Sequence, residues 1–405
     1  MIWVINVTIP KKKFSWPLFI SPFISRLGDD LFLFGMNWFI VKATGQASML
    51  GIVQGIGGFI LVLGDLIAGP MVDRYNRKNV MLWADLISFL ACLIAGLTID
   101  AREPIFYQLV LLTIVMDIGL AFNFPAAKAV VPEVIDFEHL SKFNSMANSG
   151  TMLAQVLAPL LGGFLLTIHW VDFRAFLFIN ALSFLFSFIV TMALQYQPSI
   201  HEEVTQHIFA SLKAGLDYTI EVPDLLRLII FDGFYAAFIA GYGLLLPYEI
   251  DHYYHGNEKL YSYVLTLYAI GGLLGAVWLT IDKRDPELKQ NYLDAAALAL
   301  LSLVAAVGKN YPVLAGTAFV IGFFSSIYGI RMMTIVQQIV SAEYLGRVFS
   351  IWFLVFDSLF PLSSLAFGFI ADGVHHFTFV ILGLWMAAGL GLVWVLGIYE
   401  KRIRA

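Results

Sequence analysis

Apolar runs of roughly 20 residues, the length that spans a hydrocarbon core as a helix, recur along the whole chain between short polar breaks. They predict twelve spans. Six are Trp16–Val41, Ser48–Val72, Val80–Thr98, Ile105–Val130, Leu140–Ile168 and Phe173–Leu194. Six more are Leu225–Glu249, Tyr261–Thr280, Tyr292–Val307, Pro312–Ile339, Leu345–Ala371 and Phe377–Ile398. One break is long: QYQPSIHEEVTQHIFASLKAGLDYTIEVPD carries His201, Glu202 and Glu203 and then an amphipathic stretch, Ile208–Ile220. It divides the chain into a six-helix bundle over 1–195, a linker over 196–224 and a second six-helix bundle over 225–405.

Composition agrees with a membrane solvent. Of 405 residues, 60% are hydrophobic and 13% charged, against about 25% charged in soluble domains. The fold class is therefore an all-α, multi-pass membrane protein. A net charge of −5 gives no support to nucleic-acid binding, and the lone Cys92 excludes an intrachain disulfide. At the N-terminus Lys11–Lys13 follow the apolar part, unlike a cleaved signal peptide.

Lysine and arginine set the orientation. One set holds Lys11–Lys13, Arg74, Arg77, Lys78, Lys283, Arg284, Arg347, Lys401, Arg402 and Arg404; the smaller set is Lys42, Arg102, Arg174, Lys259 and Lys309. The larger set belongs inside, so both termini and the linker are expected in the cytoplasm.

Two connections repeat. VVPEVIDFEHLSKFNS and IVSAEYLGRVFS align Leu140 with Leu345, Lys142 with Arg347 and Ser145 with Ser350. Parallel six-helix repeats are one way to build an alternating-access transporter, although repetition also arises from packing.

GPMVDRYNRK then brings Gly69, Asp73, Arg74, Arg77 and Lys78 into one short turn. The spacing resembles the loop between helices two and three of the major facilitator superfamily. Asn76 stands where that pattern has glycine, and asparagine suits a left-handed turn. FISRLGDDLFLFGMNWFIVKATGQASMLG, with Gly28–Asp29 and Thr44–Gly45, is similar to the first helix of the macrolide-efflux branch. AFNFPAAKAVVPEV and YLGRVFS match that branch's end of helix four and start of helix eleven. The resemblance implies the major facilitator fold, twelve helices as two six-helix pseudo-repeats. It also implies that Gly69, Asp73, Arg74, Arg77 and Lys78 form a gating loop that latches the halves when the cytoplasmic side is closed. Simple anchoring by the positive charges is the alternative. In span five, Pro159, Gly162 and Gly163 fit the superfamily's antiporter motif, with Ala158 in place of glycine.

Ionisable groups deep in a span are costly and mark function. Asp29, Asp30, Asp117, Asp232 and Asp357 are candidate carriers of a coupling proton. Arg26, Asn37, Phe124, Tyr235, Tyr242 and Arg331 are candidate cavity residues, because their helices line the central cavity in the resembled fold. Arg26, Asp30 and Asn37 share one helical face, as do Asp117, Ala121, Phe124 and Lys128. Asp232, Tyr235, Tyr242 and Glu249 follow a three-four spacing. Structural pairing, first of all Arg26 with Asp30, is the competing reading. Asp65 and Asp85 sit nearer the cytoplasmic ends and are expected in the loop network.

No G-x-x-x-x-G-K-[ST] stretch occurs, which argues against ATP-driven transport. His252/His255 and His375/His376 read as solvated outer-loop histidines, and neither a metal nor a cofactor is expected. No reaction centre is visible, so the chain is not expected to be an enzyme. The expected function is proton-coupled efflux of amphipathic organic compounds, macrolide- or multidrug-like, by a monomer in the bacterial cytoplasmic membrane. Its partners are the small-molecule substrate, protons and the lipid bilayer. Siderophore or metabolite export, import and lysolipid flipping on the same fold stay open.

Overall fold

The computed structural model describes residues 11–100, 105–197, 208–282, 286–308, 310–341, 343–374 and 377–404. His201–Glu203, Arg102, Lys283, Arg284, Lys309, His375 and His376 lie outside the described residues, as do the side chains of Asp65, Asp73, Lys401, Arg402 and Arg404 and the surroundings of Gly69.

The described residues form thirteen helices. They are α1 (Trp16–Thr44), α2 (Ala47–Arg74), α3 (Arg77–Thr98), α4 (Phe106–Val134), α5 (Phe137–Leu166), α6 (Phe173–Met192), α7 (Ile208–Glu221), α8 (Pro223–His252), α9 (Glu258–Ile281), α10 (Leu288–Gly308), α11 (Tyr311–Ile339), α12 (Leu345–Val374) and α13 (Thr378–Arg404). Eleven are long and apolar enough to cross a membrane. α1 is as long, at 29 residues, but Arg26, Asp29, Asp30 and Lys42 charge it from within. α7 is the short amphipathic helix of the linker.

Side chains mark where helices begin. Asp172 accepts from the Ala175 amide at 2.9 Å, Asn257 from Leu260 at 3.2 Å and Asn310 from Val313 at 3.0 Å. Each satisfies one of the amides a first helical turn leaves over. Asn76 does the same for α3, accepting from Asn79 at 3.2 Å with extended backbone at φ −63°. It is a helix cap, which corrects the left-handed turn expected from glycine replacement.

The chain forms two compact units, Met1–Met36 with Ile60–Val204, and Asn37–Phe59 with Thr205–Ala405. In the first, α3 packs along α4 and α6. Leu18, Val72, Met81, Val130 and Phe143 are buried in one core cluster. Residues 11–13 are tied beside it. The Lys12 amide donates to the Val134 carbonyl at 2.8 Å, and its ammonium reaches Gln195 at 2.8 Å.

In the second unit, α9 and α11 approach so closely that a Cβ on Gly271 or Gly322 would stand 2.0 Å from the facing carbonyl of Phe319 or Tyr268. Small residues permit such contact where lipid tails supply no hydrophobic drive between helices. α8 packs on α12 and α13. α7 docks on α12, with Tyr218 stacked on Tyr344 at 4.5 Å. Residues 37–59 belong here too. Lys42 pairs with Asp251 at 2.6 Å, and Trp38 stacks on Tyr261 at 5.5 Å. Asp372 accepts from the amides of Ala47 at 2.8 Å and Ser48 at 3.2 Å, so it caps α2 from α12.

Candidate functional site

Within the first unit the acids of α1, α3 and α4 gather. Arg26 meets Asp30 one turn on at 3.0 Å, the pairing that the spacing allowed. Asp29 interacts electrostatically with Arg26, Asp30, Asp85 and Asp117. Asp85 is 1% exposed. It accepts from Ser25 at 2.8 Å, Asn123 at 2.8 Å and Ser187 at 2.6 Å. Ser187 continues to Ser21 at 3.1 Å, and Ser21 meets Thr191. Asp85 is therefore held by buried helix side chains, which corrects the loop-network role expected from its place near the span's end. Three neighbouring helices supply donors that replace water around a buried carboxylate.

Arg26 and Phe124 line one cleft of about 60 Å³ with Phe19, Phe23, Lys128 and Thr151. Lys128 lies 5.5 Å from the Phe124 ring and bonds Asn148 at 3.0 Å. Asn37 is in the second unit, where it accepts from Gln54 at 3.2 Å and bonds Tyr261.

At the start of α3, Arg77 is buried and pairs with Glu133 of α4 at 2.9 Å while donating to the Ala129 carbonyl at 3.2 Å. Tyr196 donates to Glu133 at 2.5 Å; burial and that bond push its phenol well above the usual range. Lys78 donates to the carbonyls of Met192 at 2.8 Å and Leu194 at 2.7 Å, closing the end of α6. Arg74, the last residue of α2, is exposed. Arg77 and Lys78 thus tie α3 to α4 and α6, a bracing role that a loop motif read as spacing does not show.

In the second unit Asp232 is buried between α8, α11 and α12. It accepts from Tyr328 at 3.1 Å and from the Trp352 indole at 2.6 Å. Tyr235 packs against Tyr328 with tilted rings, centroids 4.2 Å apart, and donates to the Ser325 carbonyl at 3.2 Å. Tyr242 stacks on Tyr268 at 5.5 Å, and its buried hydroxyl has no hydrogen-bond partner among the described residues. Glu249, on the same face, accepts from Thr378. Asp357 is half-buried on α12.

Arg331 is held by Asp294 at 2.5 Å and Asp282 at 3.4 Å, 5.7 Å from the Trp278 ring. Asp294, Asp282, Trp352 and Tyr328 carried no weight in the sequence reading. A polar residue inside an apolar run was the available signal, and its partner sits on another helix. Among the described residues no cluster of three or more His, Cys, Asp or Glu has a metal-holding arrangement.

Membrane-length helices with buried, partnered charges describe a multi-pass membrane protein. The family model of the Major Facilitator Superfamily matches residues 18–286, and the chain belongs to that superfamily. Macrolide efflux protein A of Streptococcus pyogenes is 22% identical over 90% of this chain and 91% of its own. Multidrug efflux pump Tap of Mycolicibacterium fortuitum is 25% identical over 93% of each chain. Staphyloferrin A transporter of Staphylococcus aureus is 22% identical over 90% of this chain and 92% of its own. Among solved structures, nucleoside transporter NupG superposes with a TM-score of 0.71 at 12% identity, covering 94% of this chain and 98% of the other. A bacterial homologue of the iron transporter ferroportin gives 0.71 at 18%, covering 95% and 97%. These two likenesses concern the fold alone.

Proposed function

We propose that this protein exports amphipathic organic compounds in exchange for protons, by alternating access, as a monomer in the bacterial cytoplasmic membrane. Its two pseudo-repeated halves, 1–195 and 225–405, are joined by a cytoplasmic linker, with both termini on the same side. The observation that carries the reading is the acid excess within the first unit: Asp29 interacts with Asp30, Asp85 and Asp117 and with one cation, Arg26. Charge inside a bilayer is costly unless matched. Protons and a cationic cargo are alternative matches, and competition between them is the basis of antiport. Asp30 is matched by Arg26 and Asp85 by its three donors, which leaves Asp29 and Asp117 as the carboxylates best placed to exchange. Asp232 and Asp357 are the corresponding candidates in the second unit, with Tyr235 and Tyr242 as cargo-facing aromatics.

Two relatives named for macrolide and multidrug efflux support this cargo class. The relative named staphyloferrin A transporter favours a siderophore exporter as the second reading. Both are tested in everted vesicles with an imposed proton gradient, presenting a macrolide, a cationic dye and a carboxylate siderophore. Asp117→Asn is expected to abolish gradient-driven uptake while dye binding stays measurable. Full gradient-dependent transport by Asp117→Asn, Asp29→Asn and Asp30→Asn alike removes the coupling assignment. Uptake of the siderophore alone selects the second reading.

A further inference from the structure

Within the second unit a cavity of about 600 Å³ lies between the first turns of α8 and α10 and the last part of α13. That is the size of a small-molecule site. Its polar lining is Asp224, Arg227 and Tyr292; its apolar lining includes Leu288, Leu390 and Trp394. Asp224 and Arg227 pair at i,i+3, their side chains 53% and 23% exposed. Tyr292 lies near enough to interact electrostatically with both. Gly397 lets the guanidinium approach α13, since a Cβ there would stand 2.9 Å from Arg227 Nη1. A Cβ on Gly391, also in the lining, would meet nothing within 4 Å.

Depth decides what such a cavity meets. Membrane-spanning helices begin and end at the headgroup level, where tryptophan concentrates. Trp394 lines the cavity and is 70% exposed. The charges sit at the helix-end side, and the apolar lining continues along α13 toward the bilayer interior. A cavity with one guanidinium, one carboxylate and an apolar floor complements a ligand with one phosphate, one ammonium and an acyl chain. Arginine takes phosphate oxygens in a bidentate fork, and a carboxylate accepts hydrogen bonds from a primary ammonium.

We propose that this cavity holds the headgroup of a zwitterionic glycerophospholipid from the adjoining leaflet, its phosphate on Arg227 and its primary ammonium on Asp224. The proposal stands apart from the transport reading, since none of these residues belongs to the buried acid groups. Binding shifts the Arg227–Asp224 pair from mutual contact to ligand contact, and Tyr292 adds a hydroxyl donor. A quaternary ammonium donates no hydrogen bond, so phosphatidylcholine should bind more weakly than phosphatidylethanolamine. Phosphatidylglycerol offers Asp224 no cation.

The test uses the full chain, purified and delipidated in detergent. Lipid retention is read by native mass spectrometry and stabilisation by thermal unfolding, with dioleoyl-phosphatidylethanolamine, -phosphatidylcholine, -phosphatidylglycerol and inorganic phosphate as probes. Phosphatidylethanolamine is expected to be retained at least tenfold better than the other lipids. Gly391→Leu fills open space and Arg227→Gln removes the phosphate partner; each should lower retention about tenfold, and Asp224→Asn should erase the preference over phosphatidylglycerol. Unchanged retention by Gly391→Leu overturns the proposal. Equal retention of phosphatidylglycerol by the native chain overturns the ammonium assignment, and equal stabilisation by inorganic phosphate assigns the site to a soluble anion. Should Arg227→Gln fail to fold, Gly391→Leu still decides, because it alters no charge.

Discussion

Arg331, a cavity candidate by sequence, is held in the structure by two acids. Arg331 and Asp294 meet at 2.5 Å with side chains each 8% exposed, and Asp282 adds a longer contact at 3.4 Å. Removing one member of a buried pair strands the other and costs about 3–5 kcal/mol. Coulomb's law gives a similar size, about 4 kcal/mol for unit charges about 4 Å apart at an effective dielectric of about 20. For a unit of about 200 residues each kcal/mol moves the midpoint by about 2–4 °C. Asp294→Asn should therefore lower the unfolding midpoint by about 6–20 °C, followed by tryptophan fluorescence in a single detergent. Arg331→Met combined with Asp294→Leu should recover at least half of that loss, because apolar replacement of a whole buried pair is often neutral. The remainder belongs to Asp282. Single variants costing under about 1 kcal/mol, or a coupling energy under about 0.5 kcal/mol, would refute the clamp. If the double variant is stable yet no longer transports, Arg331 serves the cavity as the sequence suggested.

Asp85→Asn turns one acceptor oxygen into a donor facing Ser25, Asn123 or Ser187, and should cost about 1–3 kcal/mol; a shift below 1 kcal/mol in denaturant unfolding would contradict the donor shell. Asp73→Asn and Arg77→Gln should reduce transport without preventing insertion, and spin labels on the helix ends that share the side of the α2–α3 turn should report a shifted distance distribution. Normal transport with an unchanged distribution reduces that cluster to an anchor. For sidedness, Gly256→Cys but not His201→Cys, each in a Cys92→Ala background, should react with an impermeant thiol reagent in intact cells; labelling at 201 reverses the orientation. Burial, then the nearby Glu249 and Tyr253, pushes the Tyr254 phenol up to about 12, against about 10 in an unfolded chain. The neutral folded form contributes fully below about pH 10 and its stabilisation is lost as pH rises toward 12. Ultraviolet titration of Tyr254→Phe should show that late component reduced by one tyrosine.

Hydropathy placed the helices well because the bilayer imposes a length on every span. The Trp16–Val41 expectation meets α1 at Trp16–Thr44, and Tyr292–Val307 lies inside α10 at Leu288–Gly308. Arg26 with Asp30 was legible because both sit on one helix, one turn apart. Asp85 was not, since Ser25, Asn123 and Ser187 come from three other helices and none is remarkable alone. Asp232 was visible as an embedded acid, but Trp352 lies 120 residues away in the chain. Asn76 misled because asparagine serves both left-handed turns and helix starts, and only the backbone angle separates them.

The company kept by residues 37–59 bears on how the protein responds to cutting. A nick in the linker would leave a second fragment carrying Asp251 and Asp372 but neither Lys42 nor the α2 amides they hold. Covalent halves and compact units are then different divisions of the same molecule. A protease can sever the backbone between two spans while each unit keeps every contact described for it. The nicked pair should migrate as one species in mild detergent, because residues 37–59 stay bound to Asp251, Tyr261 and Asp372 of the second fragment. By the same logic, the second fragment synthesised alone is missing a structural component, and it should accumulate only when the first is made beside it.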